Sequence, residues 1–366
     1  MSKWPIVALG EVCGLQNGFA FKSKLFCSAG TPILRISNIQ SGGIKDTNLV
    51  FANPADYRED LSRFKIEFGD LLIAMSGATT GKIGFNQQKK TFLLNQRVGK
   101  FEPTANLDKK YLYHFLETKV ADNLEISSGV AQPNLSADQI RKMQIPLPPL
   151  DEQKRIAAIL DKADALRRKR RDALALLDTL TQSIFIDMFG DPITNPKKLV
   201  RRPLSELIRV SSGEGLTSNE MLGGKFPVYG GNGINGWHNQ GEHPAGTVVI
   251  GRVGVYCGAV HVTDRKSWIT DNALVVKKKQ DIETEYLADA LKLANLNQYA
   301  GRAAQPLVSG NRIYPVEILV PDEAEQRKYS ELKKNLKSRS QKIVHHLTQL
   351  DTLFASLQSR AFSGEL

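Results

Sequence analysis

The chain has 366 residues, with 41% hydrophobic and 24% charged side chains, 29 glycines and 16 prolines. That length corresponds to about two domains at roughly 150 residues each, and the balance excludes one small domain, a low-complexity chain and wholesale disorder. Forty-nine Lys and Arg against 38 Asp and Glu leave +11, which points to a polyanionic partner without placing it on the chain.

No run of about 18 apolar residues is present to span a bilayer. The start Met1-Ser-Lys-Trp-Pro-Ile-Val-Ala-Leu-Gly10 lacks the order of segments that marks a signal peptide, so a cytoplasmic address and no membrane contact are expected. Cys13, Cys27 and Cys257 are odd in number and far apart, which fits reduced thiols rather than a disulfide framework or a four-cysteine zinc site.

In chain order, short apolar runs such as Pro32-Ile-Leu-Arg-Ile36 and Asp70-Leu-Leu-Ile73 alternate with Gly, Asn and Ser, the pattern of strands and turns. A helix is predicted over 107–124. After the turn Pro146-Leu-Pro148-Pro149 neither Gly nor Pro occurs from Leu150 to Phe189, which predicts a helix roughly 60 Å long at about 1.5 Å per residue. Strand-and-turn texture then returns, with a second short helix predicted over 282–296 and a second long one over 322–362.

A 3-4 spacing picks out Ile156, Ile159, Ala163, Leu166, Ala173, Leu177, Leu180 and Ile184 on the first long helix, broken by Arg170. On the second it picks out Tyr329, Leu332, Leu336, Ile343, Leu350, Leu353 and Leu357, broken by Arg339 and His346. Sustained over several heptads, this predicts a coiled-coil seam, most simply between the two helices and antiparallel. Asp322 with Glu325 forms a capping box, and Asp151 is the expected N-cap of the first long helix.

The chain reads as two copies of one plan. Leu9-Gly-Glu11-Val aligns with Leu204-Ser-Glu206-Leu at an offset of 195, and Gly69, Gly77, Gly81 and Asn95 align with Gly246, Gly254, Gly258 and Asn272 at 177. From Pro148 to Phe189 the offset is 173 without a gap, and 11 of 42 positions are identical. Residues 1–190 carry +6 and residues 191–366 carry +5, so both copies are basic.

Several motifs resemble catalytic signatures but lack a required part. Gly231-Asn-Gly233-Ile-Asn-Gly236 fits GxGxxG, yet loop follows where a dinucleotide fold needs a helix. Gly77-Ala-Thr-Thr-Gly81-Lys82 is one residue short of a phosphate loop and has no Ser or Thr after the lysine, although the turn could still bring Lys82 to a phosphate. Metal ligands at usable spacing, a GxSxG elbow and the Pro-Pro-aromatic motif of amino-group methyl transfer are absent, so no catalytic residues and no metal are expected. The basic run Arg167-Arg-Lys-Arg-Arg171 reads as a solvated face, a phosphate contact, a docking patch or a register device at Arg170. Gln132 and Gln305 stand in matching Ala-Gln-Pro segments, where an amide could read adenine or merely favour a loop.

Taken in order and twice over, Asn17-Gly18-Phe-Ala-Phe-Lys22, Ser76-Gly77-Ala-Thr-Thr-Gly81-Lys82, Asn95-Gln96-Arg97 and Ile145-Pro-Leu-Pro-Pro-Leu150-Asp-Glu152-Gln153 resemble the specificity subunits of type I restriction-modification systems. Tyr229-Gly-Gly-Asn-Gly-Ile234, Asp271-Asn272-Ala-Leu274 and Pro321-Asp-Glu-Ala-Glu325-Gln326 carry the likeness through the second copy. The resemblance implies an α+β fold: two tandem α/β target recognition domains, separated by two long helices that form an antiparallel coiled coil. The implied layout is a first recognition domain over 1–149, a spacer helix over 150–190, a second domain over 191–321 and a second spacer helix over 322–366.

It further implies a non-catalytic subunit that reads a split target in double-stranded DNA, the helices fixing the separation of its halves. Two modification (methyltransferase) subunits would supply S-adenosylmethionine, and restriction subunits would supply ATP and magnesium for endonuclease action. Expected base readers are Arg35, Asn38, Thr79, Thr80, Lys82 and Gln132 in the first domain, and Tyr229, Asn232, Asn235, Arg252, Gln305 and Arg312 in the second. A stand-alone DNA-binding scaffold without methylase partners, and an enzyme with its site between the two heads, are the rival readings.

Overall fold

The computed structural model describes residues 3–126, 135–221, 223–301 and 306–366, with side chains of 120–126 excepted. It divides into two compact units, residues 1–169 with 346–366 and residues 170–345. The division falls inside both long helices, so each unit joins one head to part of its own helix and part of the other. Within each unit the apolar face of the helix segments is covered by the head and by the other helix's segment.

The two heads repeat one topology. In the first unit Cys13–Asn17, Val98–Pro103, Leu71–Ala74 and Ile83–Phe85 pair antiparallel in that spatial order. In the second, Ile208–Ser212, Ala273–Lys278, Val248–Gly251 and Val260–Val262 do the same. A second sheet in each head contains a parallel pair, Thr31–Leu34 with Phe92–Leu94 at the centre of four strands in the first and Phe226–Gly230 with the edge strand Trp268–Ile269 in the second. A two-stranded ribbon closes each head, Ile6–Ala8 against Gln144–Pro146 and Val200–Pro203 against Glu317–Val320.

The repeated glycines explain why those positions held through the duplication. Gly69, Gly77 and Gly81 stand at φ of +83°, +80° and +82°, and their counterparts Gly246, Gly254 and Gly258 at +80°, +76° and +84°. Only glycine enters that region at little cost.

The long helices run Leu150–Phe189 and Glu323–Ser363, and the shorter ones Lys109–Ile126 and Thr284–Leu293. Asp322 Oδ1 caps the second long helix through Glu325 N at 2.8 Å. In the first, the Pro149 carbonyl accepts from Glu152 N and Gln153 N, so Asp151 lies in the first turn and is not the cap. In the first unit Arg155 reaches the Leu366 carbonyl at 2.7 Å and Arg167 reaches Asp351 at 2.6 Å, so the paired segments run antiparallel there. Phe354 and Ala361 enter the core of this unit beside Ile156, Ala157 and Leu160.

The inner face of the second helix follows Tyr329, Lys333, Leu336, Ser340, Ile343, Leu347, Leu350, Phe354, Leu357 and Ala361. Of the predicted seam, Ile156 is buried, and Ile159, Leu177, Leu336, Ile343 and Leu350 are half-buried. Leu166, Leu180, Leu332 and Leu353 are exposed and leave the seam, as does Arg170. The inner places beside them belong to Arg167, Thr181, Lys333 and Phe354, one residue further on. The polar residues among these, with their long stems or small size, hid the register from an apolar pattern.

Candidate nucleic-acid interface

One turn is built twice, bond for bond. In the first head Gly81 N donates to Ala74 O, Ala74 N to Lys82 O, Lys82 N to Thr79 O and Thr80 N to Gly77 O, all at 2.8–3.0 Å. In the second head Gly258 N donates to Gly251 O, Gly251 N to Ala259 O, Ala259 N to Tyr256 O and Cys257 N to Gly254 O, at 2.7–3.1 Å. Each loop is also tied to the neighbouring strand, through Met75 N to Arg97 O and Arg252 N to Asn272 O.

The first head brings five predicted readers to this loop. Thr79 Oγ1 donates to the Ile36 carbonyl at 2.9 Å, and Lys82 Nζ donates to Gln40 Oε1 at 3.2 Å. Arg35 is half-buried, donates through Nη2 to the Asn48 carbonyl, and leaves a buried Nε without a partner. Asn38 is corrected from reader to scaffold. It is 2% exposed, its Oδ1 accepts from Arg35 N, and its Nδ2 donates to the carbonyls of Lys45 and Thr47. Thr80 is likewise buried, with its hydroxyl donating to the Gly77 carbonyl at 2.6 Å.

In the second head Asn232 and Asn235 are exposed on the hairpin of Phe226–Gly230 and Gly233–His238, the stretch that mimicked GxGxxG. Tyr229 is buried in the sheet, and that burial raises its pKa, so it walls the head instead of reaching outward. Arg252 donates to Ser212 Oγ at 3.0 Å and to the Asp271 carbonyl, while Arg312 is exposed on the short helix Gly310–Ile313. Gln132 and Gln305 lie outside the described residues.

Sequence reasoning missed Gln40 and the loop tip Val255-Tyr256. The offset of 177 sets Val255 and Tyr256 opposite Ala78 and Thr79, and that alignment was the signal available for them.

A second duplicated device holds each head to its long helix. Gln153 and Gln326, in the first turns of the two long helices, are buried. Gln153 Oε1 accepts from Asp108 N at 2.8 Å, and its Nε2 donates to the Asn106 and Pro148 carbonyls. Gln326 repeats this with Glu283 N and the Pro321 carbonyl. Tyr111 and Tyr286 add matching hydroxyl bonds to the carbonyls of Pro146 and Leu319.

Beside these clamps the ionic chemistry of the two units is reversed. In the first, fully buried His114 meets Asp161 at 2.9 Å, with Glu117 at 3.8 Å and Lys110 on the other Asp161 oxygen at 2.6 Å. Burial alone would lower the His114 pKa, but the hydrogen bond to Asp161 and the nearby carboxylate of Glu117 outweigh it and raise the pKa. Asp161 is held down to about 2, chiefly by His114. In the second unit Asp289 meets Lys333 at 2.6 Å and the Tyr329 hydroxyl at 2.5 Å. Its burial opposes ionisation, yet Lys333 and Lys292 keep its pKa low. These groups border a cavity of about 900 Å³ with Gln182, Tyr229, His261 and Lys337.

The basic run is partly committed: Arg167 pairs with Asp164 and Asp351 and covers the Phe354 ring, and Arg168 pairs with Asp164. Among the described residues no group of three or more His, Cys, Asp or Glu is placed to hold a metal ion.

Comparison with known proteins converges on one family. Residues 1–175 match the model described as type I restriction modification DNA specificity domain. The EcoprrI type I restriction enzyme specificity subunit of Escherichia coli is 25% identical over 345 residues, covering 86% of this chain and 82% of that protein. The MjaVIII specificity subunit of Methanocaldococcus jannaschii is 31% identical over 182 residues, 47% of this chain and 42% of that protein. Among solved structures, the S subunit of a type I restriction-modification system from M. genitalium superposes with a TM-score of 0.66 at 18% identity, over 99% of this chain and 96% of that one.

Proposed function

The chain belongs to the type I restriction-modification specificity subunits, and from that premise we propose that it is the DNA-reading, non-catalytic subunit of a type I complex. Each head reads one half of a bipartite target in double-stranded DNA, and the long helices set the spacing between the halves. The carrying observation is the duplicated turn: two heads present the same backbone loop with different side chains. One scaffold with two reading surfaces is what two unlike half-sites require. Cations supply the salt-dependent affinity, and a few contacts to base edges supply the choice of sequence. Joining the heads raises the effective concentration of the second once the first has bound.

Two modification subunits dock on the chain and bring S-adenosylmethionine and adenine methylation, and restriction subunits bring the ATP- and magnesium-dependent endonuclease. No helix among the described residues is long and apolar enough to cross a membrane, and the proposed DNA-reading role fits a cytoplasmic address. Co-expression with the candidate modification subunit tests the proposal. A complex of two modification subunits per chain that methylates a split adenine-containing sequence supports it. Sequence-specific binding by the chain with no such complex would favour the stand-alone scaffold instead.

A further inference from the structure

In the second head the duplicated turn ends in Val255, which is 85% exposed, and Tyr256, which is 52% exposed. Val255 is a large apolar side chain held outward at a loop tip, flanked by Gly254 at φ +76° and Gly258 at φ +84°. The turn is rigidly specified. A Cβ on Gly258 would come within 2.4 Å of Asn297 N, and Val253 bridges to Leu307 below the tip. Arg252, at the base of the same turn, is fixed by Ser212 and Asp271. The corresponding tip in the first head is Ala78-Thr79, on an identical set of backbone bonds. Val255 and Tyr256 are adjacent, both turned outward, and held on a fixed turn that the other head repeats with different side chains, so together they offer a placed apolar contact to a partner of this head.

We propose that the Gly254–Gly258 turn is the reading finger of the second head, and that Val255 and Tyr256 recognise the 5-methyl group of thymine in the second half-site. The inference rests on the DNA-reading function proposed above and names the part that performs it. In the major groove the thymine methyl is the apolar feature of a base edge, and small apolar or methyl-bearing side chains distinguish it. The adjacent Arg252 supplies a cation at the base of the finger. On the first head the shorter Ala78-Thr79 tip, with Lys82 bonded to Gln40, presents a more polar finger to a different half-site.

The test uses the assembled complex with modification subunits and duplexes in which each thymine of the second half-site is replaced in turn by uracil, which lacks only the methyl group. Wild type is expected to lose about fivefold or more in affinity on at least one replacement. The V255A/Y256T double variant, which carries the first head's tip, should bind the thymine and uracil duplexes equally at that position. Unaltered recognition of the first half-site and an unchanged melting temperature would confirm that the variant is folded. Wild type indifferent to every uracil, or a variant as sensitive as wild type, overturns the inference. A wild-type complex with no sequence preference at all would refute the DNA-reading function itself, a separate outcome.

Discussion

Gly258 and Gly246 separate two costs that a glycine can avoid. Both lie at positive φ, but a Cβ on Gly246 meets nothing within 4 Å, whereas one on Gly258 collides with the backbone of Leu296 and Asn297. Gly246→Ala should therefore cost about 1 kcal/mol, and Gly258→Ala more than twice that, measured by urea unfolding. His114 sets a pH dependence. Its folded pKa lies above the ordinary value, so its stabilising charge is fully present below about pH 6.5 and is lost as the pH rises through the folded value. Melting of the first unit should fall as the pH rises above about 6.5, and His114→Gln should flatten that slope. Asp161, held near pKa 2, contributes in the other direction, its stabilisation lost only as the pH drops from about 4 towards 2. At this scale the sequence was least legible. Asn38 carries an amide of the kind that can read adenine, but its Nδ2 is taken by the carbonyls of Lys45 and Thr47 and its Oδ1 by Arg35 N, partners that no spacing rule foretells.

Elements were far more legible than the side chains between them. Freedom from Gly and Pro over Leu150 to Phe189 marked the whole first long helix, because those two residues are what end helices. The register of the seam was harder, since an inner face that includes Arg167, Lys333 and Ser340 does not look apolar. Substitution distinguishes the two registers. Phe354→Ala should cost about 3–5 kcal/mol because it empties a buried site. Leu353→Ala, at a residue 51% exposed, should stay within about 1 kcal/mol. The glutamine clamp belongs to this scale as well. Gln153→Ala strands Asp108 N and two carbonyls in a buried place, and a loss of about 2–4 kcal/mol is expected in thermal or urea unfolding.

For the molecule as a whole, the duplication links composition to function. A charge of +11 first indicated a polyanion in general, and its division into +6 and +5 over two copies of one topology makes each copy basic on its own, as the proposed one-head-per-half-site reading requires. Length enters through the long helices. Inserting about four residues in both, near Ala173 and at the matching point of the partner helix, adds about 6 Å. That is close to the rise of two base pairs. The tolerated spacing should shift by one or two base pairs, read from the sites methylated by the variant complex. The central claim, one head for each half of a split target, is tested most directly by exchanging residues 1–149 for those of a relative and sequencing the methylated adenines of the host genome. The account predicts that one half-site changes while the other half-site and the spacing stay as they were. A change in both halves, or in neither, would contradict it.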